Sequence, residues 1–354
     1  MSRQLSASLL VIALLLQASI AAQAPTRAAR SWTPPRTADG APDLQGVWNT
    51  ATLTPLERPA EFAGKPFLTE AEVAAYEQRM AVQNNRDRRD SSPQADVGGA
   101  YNDFWFERGS RVVPSRRTSL ITDPADGRIP PLTLEAQRKA AERAEYRRLH
   151  AADGAEDLGL PVRCLLWPTA GPPMLPGGYN NNYQIVQGPG YVMIIVEMIH
   201  DARIIPTDGR PHLPKHVRQW MGDSRGRWEG NTLVIETTNF TDRTAVGANG
   251  GGPRHSTAMK MTERITRVDP QMLNYELRID DPKTYVVPWT LRMTLTQQPG
   301  YVIYEYGCHE GNGAVRNSLL GERAYEKEAA ANAAKGLPPP ERVFERVNGE
   351  DRGR

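Results

Sequence analysis

The chain of 354 residues has little net charge, few lysines and only two cysteines. Its 43 basic residues, of which only seven are lysine, nearly balance 41 acidic ones, and the formal charge is +2. Nucleic-acid-binding proteins usually carry a basic excess or a basic stripe, so this balance argues against that class. The sequence also lacks the glycine-rich motifs of nucleotide-binding folds, the HExxH helix of zinc proteases and the GxSxG elbow of serine hydrolases.

What the chain does have is turn-forming residues and a sufficient apolar content. It contains 30 glycines and 29 prolines, which indicate many turns and few long helices. Apolar residues make up 39% of the chain, enough to build a core and to argue against wholesale disorder. Length alone allows one large β-type domain or two smaller ones.

The N-terminal segment has the pattern of a secretory signal peptide. Arg3 precedes the apolar residues 9–16, and small residues follow up to Ala24. The alternative is an uncleaved anchor, but the apolar run is short for a bilayer and charged, proline-rich sequence follows it. We therefore expect cleavage near Ala22, no membrane segment afterwards, and a mature protein that is secreted or periplasmic.

Export changes the expected state of Cys164 and Cys308. In an oxidising compartment two thiols most often pair, and a bridge over so long a loop would restrict the unfolded chain by about 4–5 kcal/mol. A catalytic thiol or a pair of metal ligands are the alternatives, but neither cysteine lies in a CxxC or nucleophile motif. The sequence therefore predicts a Cys164–Cys308 disulfide.

Two helices are predicted before the β-rich part of the chain. Thr69 and Glu72 form a capping box that predicts a helix from Thr69 to about Asn84. Apolar and charged residues at helical spacing predict a second helix over residues 133–150, with a solvated, highly charged surface.

From Tyr183 onward the apolar residues alternate with a period of two. Residues 183–187 and 191–197 flank a Gly-Pro-Gly turn, and residues 227–229 and 232–240 flank a Gly-Asn turn, so both pairs predict hairpins. Regularly spaced strands with short turns favour an up-and-down antiparallel barrel or sandwich over a βαβ fold. Further strands are expected at residues 116–121, 259–268, 272–279, 284–296 and 301–306.

This pattern divides the chain into four parts, with one elaborated β domain as the main body. A closing helix is expected from Arg323 to Lys335, before a run of three prolines and a charged tail. The predicted parts are a signal peptide (1–22), a proline-rich extended strap (23–60), an antiparallel β-barrel domain (61–322), and a C-terminal helix with a polar tail (323–354).

The candidate catalytic residues are two histidines at predicted strand ends, each followed by a carboxylate. His200 beside Asp201 could act as a general base whose tautomer a carboxylate fixes, although neighbouring strand residues point to opposite faces. His309 and Glu310 follow Cys308 between glycines, so a disulfide would hold His309 rigidly. Both histidines could equally be structural residues.

Other polar residues could line a pocket. Asn181 and Tyr183 belong to a polar aromatic loop suited to hydroxylated ligands, and Asp103 lies among the aromatic residues 101–106. These aromatics could instead anchor the strap to the barrel. His212 and His216 have the spacing of a zinc helix, but the proline between them breaks that helix, so we predict no metal and no other cofactor.

Four segments together carry a resemblance to known proteins. Residues 42–48 look like the Gly-x-Trp opening of lipocalin-type barrels. Residues 198–206, 227–237 and 304–312 resemble a large, mostly uncharacterised family of exported proteobacterial and acidobacterial proteins. That family is similar to secreted bacterial β-aryl etherases, which cleave lignin-type ethers hydrolytically without glutathione. The resemblance covers about residues 42–322 and implies a mainly β, lipocalin-like antiparallel barrel with an extended N-terminal strap and a few peripheral helices.

The expected activity is therefore hydrolysis of β-aryl ethers in small aromatic compounds, and the resemblance supplies no catalytic motif. Such a reaction needs a base for water or a neighbouring hydroxyl, and a cation or proton donor for the departing phenolate. We expect His200 or His309 as the base, Asp201 or Glu310 to orient it, and a small aromatic substrate as the partner.

Substrate contacts are expected from five further residues. Arg203 or Arg117 would stabilise the phenolate, Tyr183 and Asn181 would hold methoxyl and hydroxyl groups, and Asp103 would wall the pocket. A lipocalin-like binding protein without catalytic activity and a metal-dependent enzyme are the alternatives. The sequence does not indicate an oligomeric state.

Overall fold

The structure is a computed structural model that describes residues 32–87, 102–167, 171–246 and 253–340. The predicted signal peptide and the end of the charged tail lie outside these residues. The described residues from Pro34 onward belong to one compact unit. No helix in this described part is long and apolar enough to cross a membrane.

Antiparallel strands build a nearly closed barrel, so the predicted mainly β, lipocalin-like barrel is confirmed. Nine strands follow one another in the order β5-β4-β3-β1-β10-β9-β8-β7-β6, and the short β2 pairs with β10. The strands are β1 Gly46–Asn49, β2 Ile121–Asp123, β3 Asn182–Gly188, β4 Tyr191–Val196, β5 Ala202–Pro206, β6 Asp223–Glu229, β7 Thr232–Thr238, β8 Lys260–Asp269, β9 Met272–Asp280 and β10 Trp289–Gln297.

Strands β5 and β6, at the two ends of this order, lie beside each other and bring the barrel close to closure. Gly226 on β6 allows the approach. A Cβ atom there would lie 2.9 Å from a methyl carbon of Thr207 and 3.0 Å from one of Ile205. A larger residue at position 226 would therefore force the two strands apart.

Both predicted hairpins are present. The β3–β4 turn is Pro189-Gly190, with Gly190 at φ +77°, and the β6–β7 turn has Gly230 at φ +60°. Glycine adopts this left-handed conformation without the steric penalty that a Cβ atom incurs. The two turns fix the register of the strands that they join.

The barrel core takes in part of the predicted strap. Strand β1 lies between β3 and β10, in the centre of the strand order. Trp48 on β1 is fully buried and donates a hydrogen bond from Nε1 to the carbonyl of Leu44 at 2.9 Å. A buried indole N–H needs such a partner, so this short strand fastens residues 44–48 inside the barrel.

Three helices lie outside the strand order: α1 Glu70–Asn84, α2 Leu134–Leu149 and α3 Ala314–Ala333. The capping box predicted for α1 is present, because Thr69 and Glu72 bond reciprocally. The second predicted helix is also present as α2, and the side chain of Thr133 caps it. Helix α3 begins at Ala314, nine residues before the predicted start.

Several predicted strand boundaries are wrong, since β10 begins at Trp289 and not at residue 284, and β6 begins at Asp223 and not at residue 227. Residues 301–306 form no strand, because both edges of β10 already pair with β1 and β9 and offer no free edge to a further strand. The strand expected over residues 116–121 is the short β2, Ile121–Asp123. Residues 301–306 instead run as extended chain toward the disulfide.

The predicted disulfide between Cys164 and Cys308 is present, with the two Cα atoms 5.8 Å apart. It joins the segment before β3 to the segment after β10, 144 residues later. Cys308 is thereby fixed near one end of the barrel.

Candidate functional site

The turn between β4 and β5 is strained and partly buried. Ile199 and His200 have φ angles of +61° and +46°. The left-handed region is a genuine outlier for a β-branched residue and costs of order 1–3 kcal/mol. Burial of the Ile199 side chain and a 2.8 Å hydrogen bond from the Val196 amide to the Asp201 carbonyl hold the turn. Strain of this kind clusters at functional sites, which makes the turn the first candidate.

The imidazole of His200 is oriented by a backbone carbonyl. Its Nδ1 lies 2.9 Å from the carbonyl oxygen of Tyr306. A carbonyl can only accept, so Nδ1 carries the hydrogen and the neutral ring keeps its lone pair on Nε2. The side chain is exposed and has no other hydrogen-bond partner in the described part of the chain. In this tautomer the neutral His200 ring presents the lone pair of Nε2 to solvent, as a general base requires.

Asp201 lies beside this imidazole without fixing it. Burial raises the pKa of the Asp201 carboxyl, and the neighbouring His200 opposes that rise. The orienting role expected of Asp201 is filled by the Tyr306 carbonyl. A carboxyl with a raised pKa next to an oriented imidazole is the type of pair in which one group gives and the other takes a proton.

Glu197, at the start of the same turn, is buried and fully engaged. Its carboxylate accepts hydrogen bonds from the Tyr301 hydroxyl and from Nδ2 of Asn182, the latter at 2.8 Å. Burial and this carboxylate raise the pKa of the Tyr301 phenol. Tyr301 therefore stays protonated and holds the segment after β10 against the turn.

A second carboxylate joins this network through asparagines. Nδ2 of Asn49 donates to Oε1 of Glu107 at 2.6 Å and to Oδ1 of Asn182 at 2.9 Å. Asn181 donates its backbone amide to Glu107 at 3.1 Å and its side-chain amide to the Glu107 carbonyl at 2.6 Å. The ends of β1, β3 and β4 thus share one hydrogen-bonded cluster, in which neutral amides separate two carboxylates.

An open groove of about 510 Å³ runs beside the disulfide. Asn312 closes one end, because its Nδ2 donates to the Val162 carbonyl at 3.1 Å. The groove extends to Tyr306, whose backbone carbonyl orients the imidazole of His200. Its lining consists of Pro161, Val162, Glu305, Tyr306, Gly307, Cys308, Asn312 and Ala314.

His309 and Glu310 lie in the turn that follows Cys308. Both are exposed, and Glu310 lies against Gly307, where an added Cβ would come within 3.2 Å of its carboxyl carbon. His309 has no side-chain partner in the described part of the chain. The structure therefore places His309 and Glu310 near the groove without orienting the imidazole.

Exposed aromatic side chains flank the cluster. Tyr304 is 73% exposed and contacts Tyr301 edge to face. Phe104 and Trp105, 82% and 59% exposed, precede Glu107 by three and two residues. The interpretation of residues 101–106 as a buried anchor is wrong for Phe104 and Trp105, because both rings face solvent. Tyr101 lies outside the described residues.

Two of the expected substrate-binding residues lie inside the barrel. Arg203 and Glu263 form a buried ion pair with N–O distances of 3.1 and 2.5 Å, and the Tyr275 hydroxyl donates to Glu263 at 2.9 Å. Tyr183 is buried beside this pair, and burial raises the pKa of its phenol. Arg203 and Tyr183 are thus separated from the groove residues around His200.

The remaining predicted residues have local structural contacts. Arg117 stacks on Phe67 at 4.8 Å, and burial together with Arg292 lowers the pKa of its guanidinium. Asn181 belongs to the Glu107 network described above. Asp103 is exposed and accepts from the Arg86 amide at 3.3 Å.

The described ranges contain no group of three or more His, Cys, Asp or Glu side chains placed to hold a metal ion. His212, one of the H-x₃-H pair, instead bonds the Asp223 carboxylate at 2.9 Å. His216 is an exposed loop residue.

The predicted site residues did not include Glu197, Tyr301, Asn49, Asn182 or Glu107. One signal was available, because Glu197 directly follows an otherwise apolar strand. The others depend on the strand order, which brings the end of β1 beside the start of β3.

Fold and site together define an antiparallel, lipocalin-like barrel with a polar, disulfide-anchored mouth. No known family model matches the chain, and no curated protein is similar to it. The resemblance to exported β-barrel proteins and β-aryl etherases therefore stays a prediction.

Proposed function

We propose that the protein is an exported hydrolase that cleaves aryl ether bonds of the lignin type in small aromatic compounds. The observation that carries the proposal is the orientation of His200. A strained turn and the Tyr306 carbonyl select the tautomer whose Nε2 lone pair is exposed beside an open groove. The barrel interior is filled by core side chains and the Arg203–Glu263 pair, so we locate the reaction at the mouth.

Aromatic side chains support an aromatic substrate. Tyr306 lines the groove, and the exposed Tyr304 stands in the same segment. Aromatic rings bind one another in offset or edge-to-face arrangements, worth about 0.5–1.5 kcal/mol for each pair beyond the area that they bury. An uncharged lignin-type dimer offers two such rings.

The residues divide the reaction between a base and an acid. Nε2 of His200 takes a proton from water, whose oxygen bonds to the alkyl carbon of the ether as the carbon–oxygen bond to the aryl group breaks. The departing phenolate oxygen takes a proton from Asp201, for which a raised pKa is favourable. Transfer of the His200 proton back to Asp201 restores both groups, and the sum is ether plus water giving alcohol plus phenol.

A chromogenic aryl ether and its release of phenol test the proposal. His200→Ala should lower kcat about 10²–10⁴-fold, the usual contribution of a general base. His309→Ala tests the other histidine of the same region, and we expect it to retain activity because its imidazole is not oriented. His216→Ala, an exposed loop histidine, is the matched control. Full activity of His200→Ala would refute the assignment.

A binding protein without catalytic activity is the second candidate, favoured by the complete hydrogen bonding of the Glu197–Asn182–Asn49–Glu107 cluster. A panel of lignin-dimer ethers and esters, followed by product mass spectrometry and calorimetry, separates the two. Tight binding without any product would support the binding protein and contradict the hydrolase.

A further inference from the structure

A second, smaller cavity lies away from the groove, between α2 and the segments that flank β8 and β9. Its volume is about 70 Å³. Pockets for drug-sized ligands measure about 300–1,000 Å³, so this cavity suits a small ion. It is lined by Ala136, Lys139, Arg143, Asp242, Arg254, His255, Ser256, Thr257, Lys283 and Thr284.

Positive charge converges on this cavity and is only partly compensated, by Asp242. Arg143, Arg254 and Lys283 line it, and none has a carboxylate partner among the described residues. Burial lowers the pKa of the Arg254 guanidinium, and repulsion from Arg143 and Arg147 lowers it further. Lys139 contrasts with them, since it is paired with Glu135 at 2.7 Å. Three cations facing a single exposed carboxylate leave an excess of positive charge that a bound anion would balance.

Hydroxyl donors complete the set. Thr284 lines the cavity, and its hydroxyl makes no hydrogen bond to another side chain or to the backbone in the described structure. Thr257 lines the cavity with an equally unpartnered hydroxyl. Both hydroxyls are therefore free to donate to a bound anion.

The other polar groups of the cavity lining either have hydrogen-bond partners within the protein or are exposed to solvent. Nδ1 of His255 donates to the Ser256 carbonyl at 3.2 Å, and its Nε2 accepts from Thr244. The Ser256 hydroxyl donates to Asp281 at 2.6 Å. Asp242 is the one carboxylate among the lining residues, and it is exposed.

We infer that this cavity binds a small tetrahedral oxyanion, phosphate or sulfate, through Arg143, Arg254 and Lys283, with the hydroxyls of Thr257 and Thr284 as further donors. Arginine matches the planar pairs of oxygens that such ions present, and hydroxyls donate to the remaining ones. The site is separate from the His200 groove and does not depend on the proposed hydrolase activity.

Calorimetric titration of the whole protein with inorganic phosphate and with sulfate tests the inference. The titrations replace chloride at constant ionic strength, so that general screening is the same in every sample. We expect saturable binding, weakened about tenfold or more in Arg143→Gln and in Arg254→Gln, as is usual on loss of a hydrogen bond to a charged group. Thr284→Val should weaken binding by a smaller factor.

Arg278→Gln is the matched control, because Arg278 is an exposed arginine on β9 without a partner in the described structure and outside the lining. Phenyl phosphate is titrated in the same way as a further ligand. Tighter binding of the ester than of inorganic phosphate would show that the anion belongs to a larger molecule. No heat beyond that of chloride, or equal affinities in the Arg143, Arg254 and Arg278 variants, would overturn the inference. Arg143 lies on the partly exposed surface of α2, so its replacement leaves the fold intact.

Discussion

The buried ion pair between Arg203 and Glu263 gives the sharpest prediction about stability. Both side chains are almost completely inaccessible, at 2% and 0% exposure. Glu263 accepts from both terminal nitrogens of Arg203 and from the Tyr275 hydroxyl, and Arg203 also reaches the Ser224 hydroxyl at 3.4 Å. Nε of Arg203 has no partner in the described structure. Removal of either charge would therefore leave the other one buried and poorly solvated.

The size of the effect follows from that desolvation. Breaking a buried pair by replacing one partner costs about 3–5 kcal/mol, whereas replacing both by apolar residues of similar volume is often neutral or even stabilising. We expect Arg203→Met and Glu263→Leu each to lower the free energy of unfolding by about 3–5 kcal/mol. The double variant should be at least as stable as either single one.

Urea unfolding followed by tryptophan fluorescence measures all four proteins of this double-mutant cycle. A typical domain has only about 5–15 kcal/mol of stability, so shifts of the expected size are readily resolved. Two results would refute the reasoning. One is a cost below about 1 kcal/mol for both single variants, and the other is a double variant whose cost equals the sum of theirs.

Two further predictions concern the disulfide and the buried histidine. Cys164→Ser with Cys308→Ser opens a loop of 144 residues, and the chain-entropy model gives a loss of about 5 kcal/mol in urea unfolding. A loss below about 2 kcal/mol would contradict that model here. Burial lowers the pKa of His255 in the folded state, below the 6.5 of a free histidine. The unfolded chain therefore binds more protons, and stability should fall as the pH drops from about 6.5 toward the folded-state pKa. His255→Gln should flatten that part of the stability profile measured by urea unfolding, and an unchanged slope would exclude His255 as its source.

The strands of the barrel could be predicted from the sequence because their alternation is a local property. On β9, Leu273, Tyr275, Leu277 and Ile279 are buried, and the residues between them face outward. The cap of α1 was predicted for the same reason, since the two residues of a capping box lie three positions apart. Local patterns of this kind need no knowledge of the strand order.

Residues 301–306 show where alternation misleads. Their aromatic and apolar residues resemble a strand, but a strand also needs a free edge to pair with. β10 has none, because β1 and β9 occupy both of its sides. The segment is held instead by the contact of Tyr301 with Glu197 and by Cys308. Whether such a segment forms a strand therefore depends on the whole sheet and not on its local sequence alone.

The candidate site depends even more strongly on distant contacts. The sequence indicated His200, but its partner is a backbone carbonyl 106 residues away. Every residue type at position 306 would carry that backbone carbonyl, so no side-chain pattern in the sequence predicts this contact. The expected partner, Asp201, was chosen because it is adjacent in sequence. Adjacent residues seldom face the same way, and here the strained turn gives each a different environment.

The net charge of the chain likewise does not show where its charged residues lie in the structure. On the outer face of β6, β7 and β8 the cations are matched, since Arg227 pairs with Glu229 and Glu236, and Arg264 also pairs with Glu229, each at 2.9 Å. At the small cavity Arg143, Arg254 and Lys283 have no such ion-pair partner among the residues that the structure describes. A net charge of +2 is therefore compatible with one concentrated positive site, provided that the pairs elsewhere cancel. It still argues against nucleic acid, because a phosphate backbone needs cations spread along a surface, whereas Arg143, Arg254 and Lys283 converge on a space that fits a single small anion.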